Sequence, residues 1–271
     1  NLIAHQVAPA VATGCPVIVK PSDRTALSCL HFVQILHEAG LPPKWCQAVV
    51  TAKREDATAM VTDPRVGFFS FIGSAKVGWS LRSQLAPGTR CALEHGGVAP
   101  VILAEDANLD KALPSVLKGG FYHAGQVCVS VQRVFAHRSI ARAFAEKLAE
   151  GASRLIVGDP TASDTEVGPL IVPAEVDRVH AWVEEARAGG AEVLSGGEAL
   201  SASAYKPTVL LNPPSDAQVS RAEIFGPVVC VYECDDMDAA IDTANSLAVS
   251  FQAAVFTESL DNAMRVSSRL D

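Results

Sequence analysis

The sequence predicts an α/β fold built on parallel strands, and three observations carry that prediction. Short apolar or β-branched runs alternate with stretches whose apolar residues recur at helical steps. The connections are punctuated by Gly, Pro and Ser, and no long Ser- or Gly-rich linker interrupts the pattern. Hydrophobic residues make up 49% of the 271 positions and charged residues 19%, a composition that builds cores. Strand, helix, strand in this order favours right-handed crossovers and hence parallel pairing.

Val17-Ile18-Val19 reads as the first strand. Leu27, Leu30, Val33 and Leu36 follow at helical steps as far as Gly40, with Pro42 and Pro43 beyond as a stop. Gln47-Ala48-Val49-Val50 and Val66-Gly67-Phe68-Phe69-Ser70-Phe71 are the next strands, and the second runs into Gly73-Ser74, where another helix begins. Ile140, Phe144 and Leu148 share one helical face. Pro173 suits a first helical turn, with Val176, Val179, Val183 and Ala186 on the apolar face and Asp177, Arg178, Glu184 and Glu185 elsewhere. Thr208–Leu211 and Val228 to Tyr232 are strands. No internal repeat or low-complexity tract is present.

Charge and cysteine usage narrow the function classes. With 22 Lys and Arg against 30 Asp and Glu the net charge is −8, and no basic cluster offers a footprint for nucleic acid. No apolar run is long enough to cross a bilayer. The opening Asn1-Leu2-Ile3-Ala4-His5 lacks the basic end and apolar middle of a secretory signal. The expectation is a soluble, cytoplasmic protein with no membrane or nucleic-acid partner. Its seven cysteines are odd in number and widely spaced, which argues against a disulfide framework. Cys230 and Cys234 would share a strand face, but no His or second pair supports a metal site, and no metal is expected.

Five places carry residue types suited to chemistry. Cys128, in Gly125-Gln126-Val127-Cys128, is a potential thiolate nucleophile, although buried cysteines are commonly inert. His123 lies five residues upstream, and nothing in the sequence brings its ring to the sulfur. Glu94 sits between the apolar run Cys91-Ala92-Leu93 and Gly96-Gly97. It is either a solvated strand end or a general base. Gly73 and Ser74 stand at a strand-to-helix corner, either a plain helix start or a phosphate site. Lys20, Ser22 and Asp23 close the first strand, where they would cap the next helix or hold ribose hydroxyls. Glu223 and Phe225, in Glu223-Ile224-Phe225-Gly226-Pro227, are core plus turn or a ligand contact.

Taken together, the order and spacing of these segments are specific. Ala8-Pro9-Ala10, Gly14, Lys20-Pro21-Ser22, Ala39-Gly40-Leu41-Pro42-Pro43, Phe71-Ile72-Gly73-Ser74, Leu93-Glu94-His95-Gly96-Gly97, Gly125-Gln126-Val127-Cys128, Gly168-Pro169-Leu170 and Glu223-Ile224-Phe225-Gly226-Pro227 closely resemble the NAD(P)-dependent aldehyde dehydrogenase superfamily along the whole chain. The resemblance implies an aldehyde dehydrogenase-like α/β fold. Residues 1–95 would be the C-terminal part of a Rossmann-like cofactor domain and residues 96–271 an α/β catalytic domain, both incomplete.

It also implies roles. Cys128 would attack a small-molecule aldehyde to give a thiohemiacetal, and loss of hydride would leave a thioester. Glu94 would activate water to hydrolyse it. Lys20, Ser22 and Asp23 would lie at the adenosine ribose, with Gly73 and Ser74 at the pyrophosphate. Glu223 would hold the nicotinamide ribose, with Phe225 packed beside it. The cofactor would be NAD, with NADP as the alternative, because an acidic Asp23 near the ribose disfavours a 2′-phosphate. A homo-oligomer is implied for the full-length form.

The same resemblance implies a fragment lacking both ends of the family fold, including an oxyanion-stabilising Asn upstream of Asn1, which matches a later position. Within the matched region Thr51-Ala52-Lys53 replaces a Gly-containing turn, His95 stands where an apolar residue is usual, and His123 where an amide is common. Two alternatives to a hydrolytic dehydrogenase are a CoA-acylating relative, against which Glu94 argues, and a catalytically impaired truncated member.

Overall fold

A computed structural model describes residues 2–248 and 250–271. Asn1, which the resemblance excludes from the oxyanion role, lies outside the described residues. The chain forms two compact units, residues 1–95 and 96–271.

The first unit contains α1 (Leu2–Ala12), β1 (Val17–Val19), α2 (Ala26–Glu38), β2 (Cys46–Ala48), α3 (Arg54–Val61), β3 (Phe68–Ile72), α4 (Ala75–Arg82) and β4 (Arg90–Glu94). β1 pairs with β2 in parallel, and β3 with β4, placing Ile72 opposite Glu94. α2 ends where expected, and Gly40 at φ 99° turns the chain out of it, a conformation that glycine adopts without a Cβ penalty. The buried cluster is small: Val7, Val19, Cys29, Val33 and Cys46. β2 starts and ends earlier than the sequence suggests. Val49 still donates to the Val19 carbonyl, and the ladder stops there. β3 begins at Phe68 because Val66 is engaged in a turn to Asp63. α1, which contains Pro9, and α3, which buries no residue, had no readable pattern.

The second unit contains β5 (Ala99–Leu103), α5 (Leu109–Phe121), a short 3₁₀ turn at Tyr122–Gly125, β6 (Val131–His137), α6 (Arg138–Arg154) and α7 (Pro173–Ala188). It continues with β7 (Glu192–Ser195), β8 (Thr208–Leu211), α8 (Gln218–Arg221), β9 (Val228–Cys234), α9 (Met237–Ala244), β10 (Ala254–Phe256) and α10 (Leu260–Arg269). Six strands form one sheet in the order β10-β5-β6-β9-β8-β7, parallel except for the β7–β8 pair. Every residue of β5 is buried, as expected for a strand covered on both faces. Phe144 and Leu148 of α6, and Val176, Val179, Val183 and Ala186 of α7, are buried on the predicted faces. Cys230 and Cys234 are buried, and burial pushes their thiols up to about 12 and about 11. Among the described residues no group of His, Cys, Asp and Glu is placed to hold a metal, and no helix is long and apolar enough to cross a membrane.

Candidate active site

The first unit gathers its predicted residues at the carboxyl ends of its strands. Lys20, Ser22 and Asp23 follow β1. The Lys20 ammonium lies 2.7 Å from Asp23 Oδ1, and this hydrogen bond and charge hold the Asp23 carboxyl below its ordinary value. Neither Ser22 nor Asp23 caps α2: the cap position is Thr25, and the Ser22 hydroxyl accepts from the Arg24 N–H. The helix-capping alternative is therefore not realised.

Gly73 and Ser74 join β3 to α4. A Cβ on Gly73 would stand 2.8 Å from the Phe71 ring, so the corner needs glycine. Ser74 occupies the N-cap position of α4, yet its hydroxyl makes no capping bond. Both that oxygen and the first-turn N–H groups of α4 are thus uncommitted, as an anion site requires. Glu94 ends β4, exposed, and its carbonyl accepts from the Gly73 N–H. His95 packs edge-on to Phe71 and close to Trp79, and its Nδ1 faces the Gly73 carbonyl at 3.3 Å.

The second unit gathers its residues at the opposite ends of its strands. Cys128 lies in the loop entering β6, Gly96 and Gly97 precede β5, and Glu223 and Phe225 precede β9. These strands are neighbours in the order β5-β6-β9, so the three loops converge at the amino edge of the sheet.

The Cys128 loop is strained. His123 and Ala124 occupy the left-handed region at φ 52° and 56°, and Gly125 follows at φ 70°. Such conformations cost roughly 1–3 kcal/mol per non-Gly residue and persist only where surrounding contacts impose them. Those contacts are visible. Gln126 Nε2 donates to the Pro169 carbonyl at 3.1 Å, and its Oε1 accepts from the Ile171 N–H at 2.9 Å. The Ser130 hydroxyl donates to the Gly119 carbonyl. A Cβ on Gly125 would fall 2.0 Å from the Gly226 carbonyl oxygen, so this glycine lets the Cys128 loop touch the Phe225-Gly226 turn.

Cys128 itself is half-buried. Tyr122 lies close enough for a Cys128 thiolate to add to the burial that raises its phenol. The His123 ring lies tilted against Tyr122 with centroids 5.1 Å apart, and among the described residues no hydrogen bond links it to Cys128.

Glu223 is half-buried, with Oε1 completely enclosed and, among the described residues, without a hydrogen-bond partner. A Cβ on Gly96 would lie 1.9 Å from that oxygen, so the carboxylate stands over the Gly96 backbone. Burial raises its pKa, opposed by the Gly97 amide and the charge of Arg178. Phe225 is exposed and sits at φ 46°, an uncommon conformation for a bulky residue. The gap lined by Gly97, Gly125, Val127, Gln132, Glu223 and Phe225 holds only about 10 Å³. A larger cavity of about 390 Å³ lies at the carboxyl edge of the same sheet, beside Leu103, His137 and Asp236, and none of the predicted site residues lines it.

Three polar residues of this machinery escaped the sequence reading as chemistry: Gln132, Arg133 and Arg178. Arg178 donates to the Ile224 carbonyl at 2.6 Å. Arg133 is 2% exposed and donates to the Val98, Thr243 and Ala244 carbonyls, capping the negative end of α9. Two adjacent polar residues in an otherwise apolar strand were the available signal.

The fold class is α/β in two units, and in the second the Gly125 loop touches the turn that follows the half-buried Glu223. The comparisons with known proteins then specify the family. The profile of the aldehyde dehydrogenase family matches residues 1–271, and the chain belongs to that family. It is 36% identical over 271 residues to 3-sulfolactaldehyde dehydrogenase of Priestia aryabhattai, covering all of this chain and 56% of that protein. It is 38% identical over 273 residues to betaine aldehyde dehydrogenase of Cereibacter sphaeroides, with the same coverage, 100% and 56%.

Among solved structures, aldehyde dehydrogenase 21 of Physcomitrella patens, in complex with the reaction product succinate, matches with a TM-score of 0.94 at 34% identity, over 100% of this chain and 56% of that one. Glyceraldehyde-3-phosphate dehydrogenase of Methanocaldococcus jannaschii, complexed with NADP, matches with a TM-score of 0.94 at 34% identity, over 100% and 59%. Betaine aldehyde dehydrogenase of Staphylococcus aureus, in complex with NAD+, matches with a TM-score of 0.91 at 31% identity, over 98% and 54%. The chain spans about half the length of the curated relatives it matches.

Proposed function

We propose that the protein oxidises an aldehyde to a carboxylate with a nicotinamide nucleotide as hydride acceptor. Residues 1–95 serve as part of the cofactor-binding domain and residues 96–271 as the nucleophile-bearing domain. The observation that carries this reading is the contact between the strained Cys128 loop and the turn that presents Glu223, made through Gly125 and Gly226.

In this reading Cys128 adds its thiolate to the aldehyde carbonyl. The tetrahedral adduct can expel hydride as the free aldehyde cannot, and a thioester remains on the sulfur. Glu94 takes a proton from water, which attacks the thioester and releases the carboxylate and the Cys128 thiol. The cofactor supplies the hydride acceptor. For its binding the chain offers Lys20, Ser22 and Asp23, then Gly73 and Ser74, then Glu223 and Phe225.

NAD is the preferred cofactor on the strength of the acidic Asp23, with NADP as the alternative; relatives are known with either bound. Glu94 favours water over CoA as the acyl acceptor. The aldehyde is a small molecule, and the full-length form is a homo-oligomer. Seven cysteines without disulfide partners support a cytoplasmic location.

The test follows NADH absorbance with NAD+ and short aldehydes, in the full-length protein and in the 271-residue chain. Cys128→Ala is expected to abolish turnover, and turnover surviving it sinks the nucleophile assignment. Glu94→Gln is expected to keep a burst of NADH and slow the steady state; an unchanged steady state assigns water activation elsewhere.

A further inference from the structure

Gln132 lies in β6, four residues after Cys128, and is 3% exposed. A buried carboxamide in a strand needs partners, because a buried polar group left unpaired is destabilising. Gln132 finds all of its partners in one short segment. Its Nε2 donates to the Val219 carbonyl and to the Ala222 carbonyl, both at 2.8 Å. Its Oε1 accepts from the Ile224 N–H at 2.9 Å. Both amide protons are used, and two carbonyls plus one N–H fix which way round the amide sits.

The last two contacts bracket Glu223. The Ala222 carbonyl belongs to the peptide plane before Glu223, and the Ile224 N–H to the plane after it. Peptide planes are rigid, so only φ and ψ of Glu223 lie between them. One rigid carboxamide therefore pins both planes and sets where the Glu223 side chain departs from the backbone. Arg178 adds a hold on the Ile224 carbonyl. Downstream, Phe225 stays in the left-handed region. The result is the carboxylate held over Gly96. Neither Met, with no polar hydrogen, nor Glu, with no second donor, can reproduce this pattern of two donors and one acceptor.

We propose that Gln132 is a positioning residue that holds Glu223 for binding the nicotinamide nucleotide. This rests on the reading of Glu223 as the ribose-holding residue. Gln132 touches neither substrate nor cofactor in this account; it acts through the backbone on either side of Glu223.

The experiment measures NAD+ affinity by fluorescence titration and Cys128 alkylation by iodoacetamide in the full-length protein. Gln132→Met is expected to weaken NAD+ binding about tenfold, the scale of losing buried hydrogen bonds to a functional segment. The alkylation rate should stay within about twofold, because Gln126 and Ser130 hold that loop independently. The double variant Gln132→Met/Glu223→Gln should bind no more weakly than Glu223→Gln alone, since a positioning residue has nothing left to position. Wild-type affinity in Gln132→Met, or losses that multiply in the double variant, overturns the proposal. Should Gln132→Met fail to fold, Gln132→Asn, which keeps the amide on a shorter stem, is read in the same way with a smaller expected loss. If Glu223→Gln alone leaves NAD+ binding intact, it is the reading of Glu223 that falls, an outcome distinct from a silent Gln132→Met.

Discussion

The two units carry their predicted site residues at opposite ends of their strands. In residues 1–95 the residues follow β1, β3 and β4, at the carboxyl edge where open parallel sheets usually bind ligands. In residues 96–271 they precede β5, β6 and β9, at the amino edge. The interiors differ as well. The first unit has two two-stranded sheets and leaves Ile18, Val50, Phe68 and Leu27 exposed, whereas the second wraps one six-stranded sheet in helices on both faces.

The contrast teaches that the two kinds of site are held by different means. Lys20, Ser22, Asp23 and Ser74 are surface groups on short loops, with one exposed ion pair among them. The segments carrying Cys128 and Glu223 are held by the amides of Gln126 and Gln132, the half-buried Arg178 guanidinium, left-handed backbone and glycines in contact. Under the proposed function this division is expected: groups that contact a nucleotide can stay solvated until it arrives, whereas reacting groups must be preorganised.

The largest expected effect tests the strained loop. Gly125→Val adds a β-branched side chain at φ 70°, against the Gly226 carbonyl. It should destabilise the second unit by about 4 kcal/mol or more in urea unfolding, in the exceptional range for a point substitution. A loss under about 1 kcal/mol would mean that the loop is not pinned.

A second effect separates the interiors by pH. The Cys230 and Cys234 thiols hold their protons to about 12 and about 11 when folded, while unfolded thiols ionise near 9.0. The unfolded state sheds protons first, so this stabilisation is intact below pH 9.0 and is lost as the pH climbs toward 11. Replacing each thiol by Ala should flatten the alkaline fall in unfolding free energy by up to about 1.4 kcal/mol per pH unit. An unchanged slope would show that other groups set it.

The smallest effect concerns the exposed pair. Lys20→Ala should leave the unfolding midpoint unchanged and raise the Asp23 pKa toward 3.8, read by carboxyl titration in NMR. NAD+ affinity should fall a few-fold. A large stability loss would show that this unit, too, depends on its polar contacts.

Much of the fold was legible because strands buried on both faces read as continuous apolar runs and amphipathic helices repeat at fixed steps. Thr208–Leu211 and the apolar face of α7 appeared where their patterns placed them. α1 and α3 did not, since one carries an internal proline and the other buries nothing. Cys128, Glu94 and Glu223 stood out as residue types in ordered motifs. Gln132 did not, because a lone glutamine in a strand is silent until its partners, 87 to 92 residues away, are known.

The sequence by itself determined the family and the alternation of strands and helices, and it supplied the candidates for nucleophile and carboxylate chemistry. Only the tertiary structure decided which edge of each sheet carries them, that Ser22 and Asp23 leave α2 uncapped, and that Gly125 meets Gly226. Those outcomes depend on contacts between segments far apart in the chain, where backbone groups are paired or left unpaired by partners that no local pattern names.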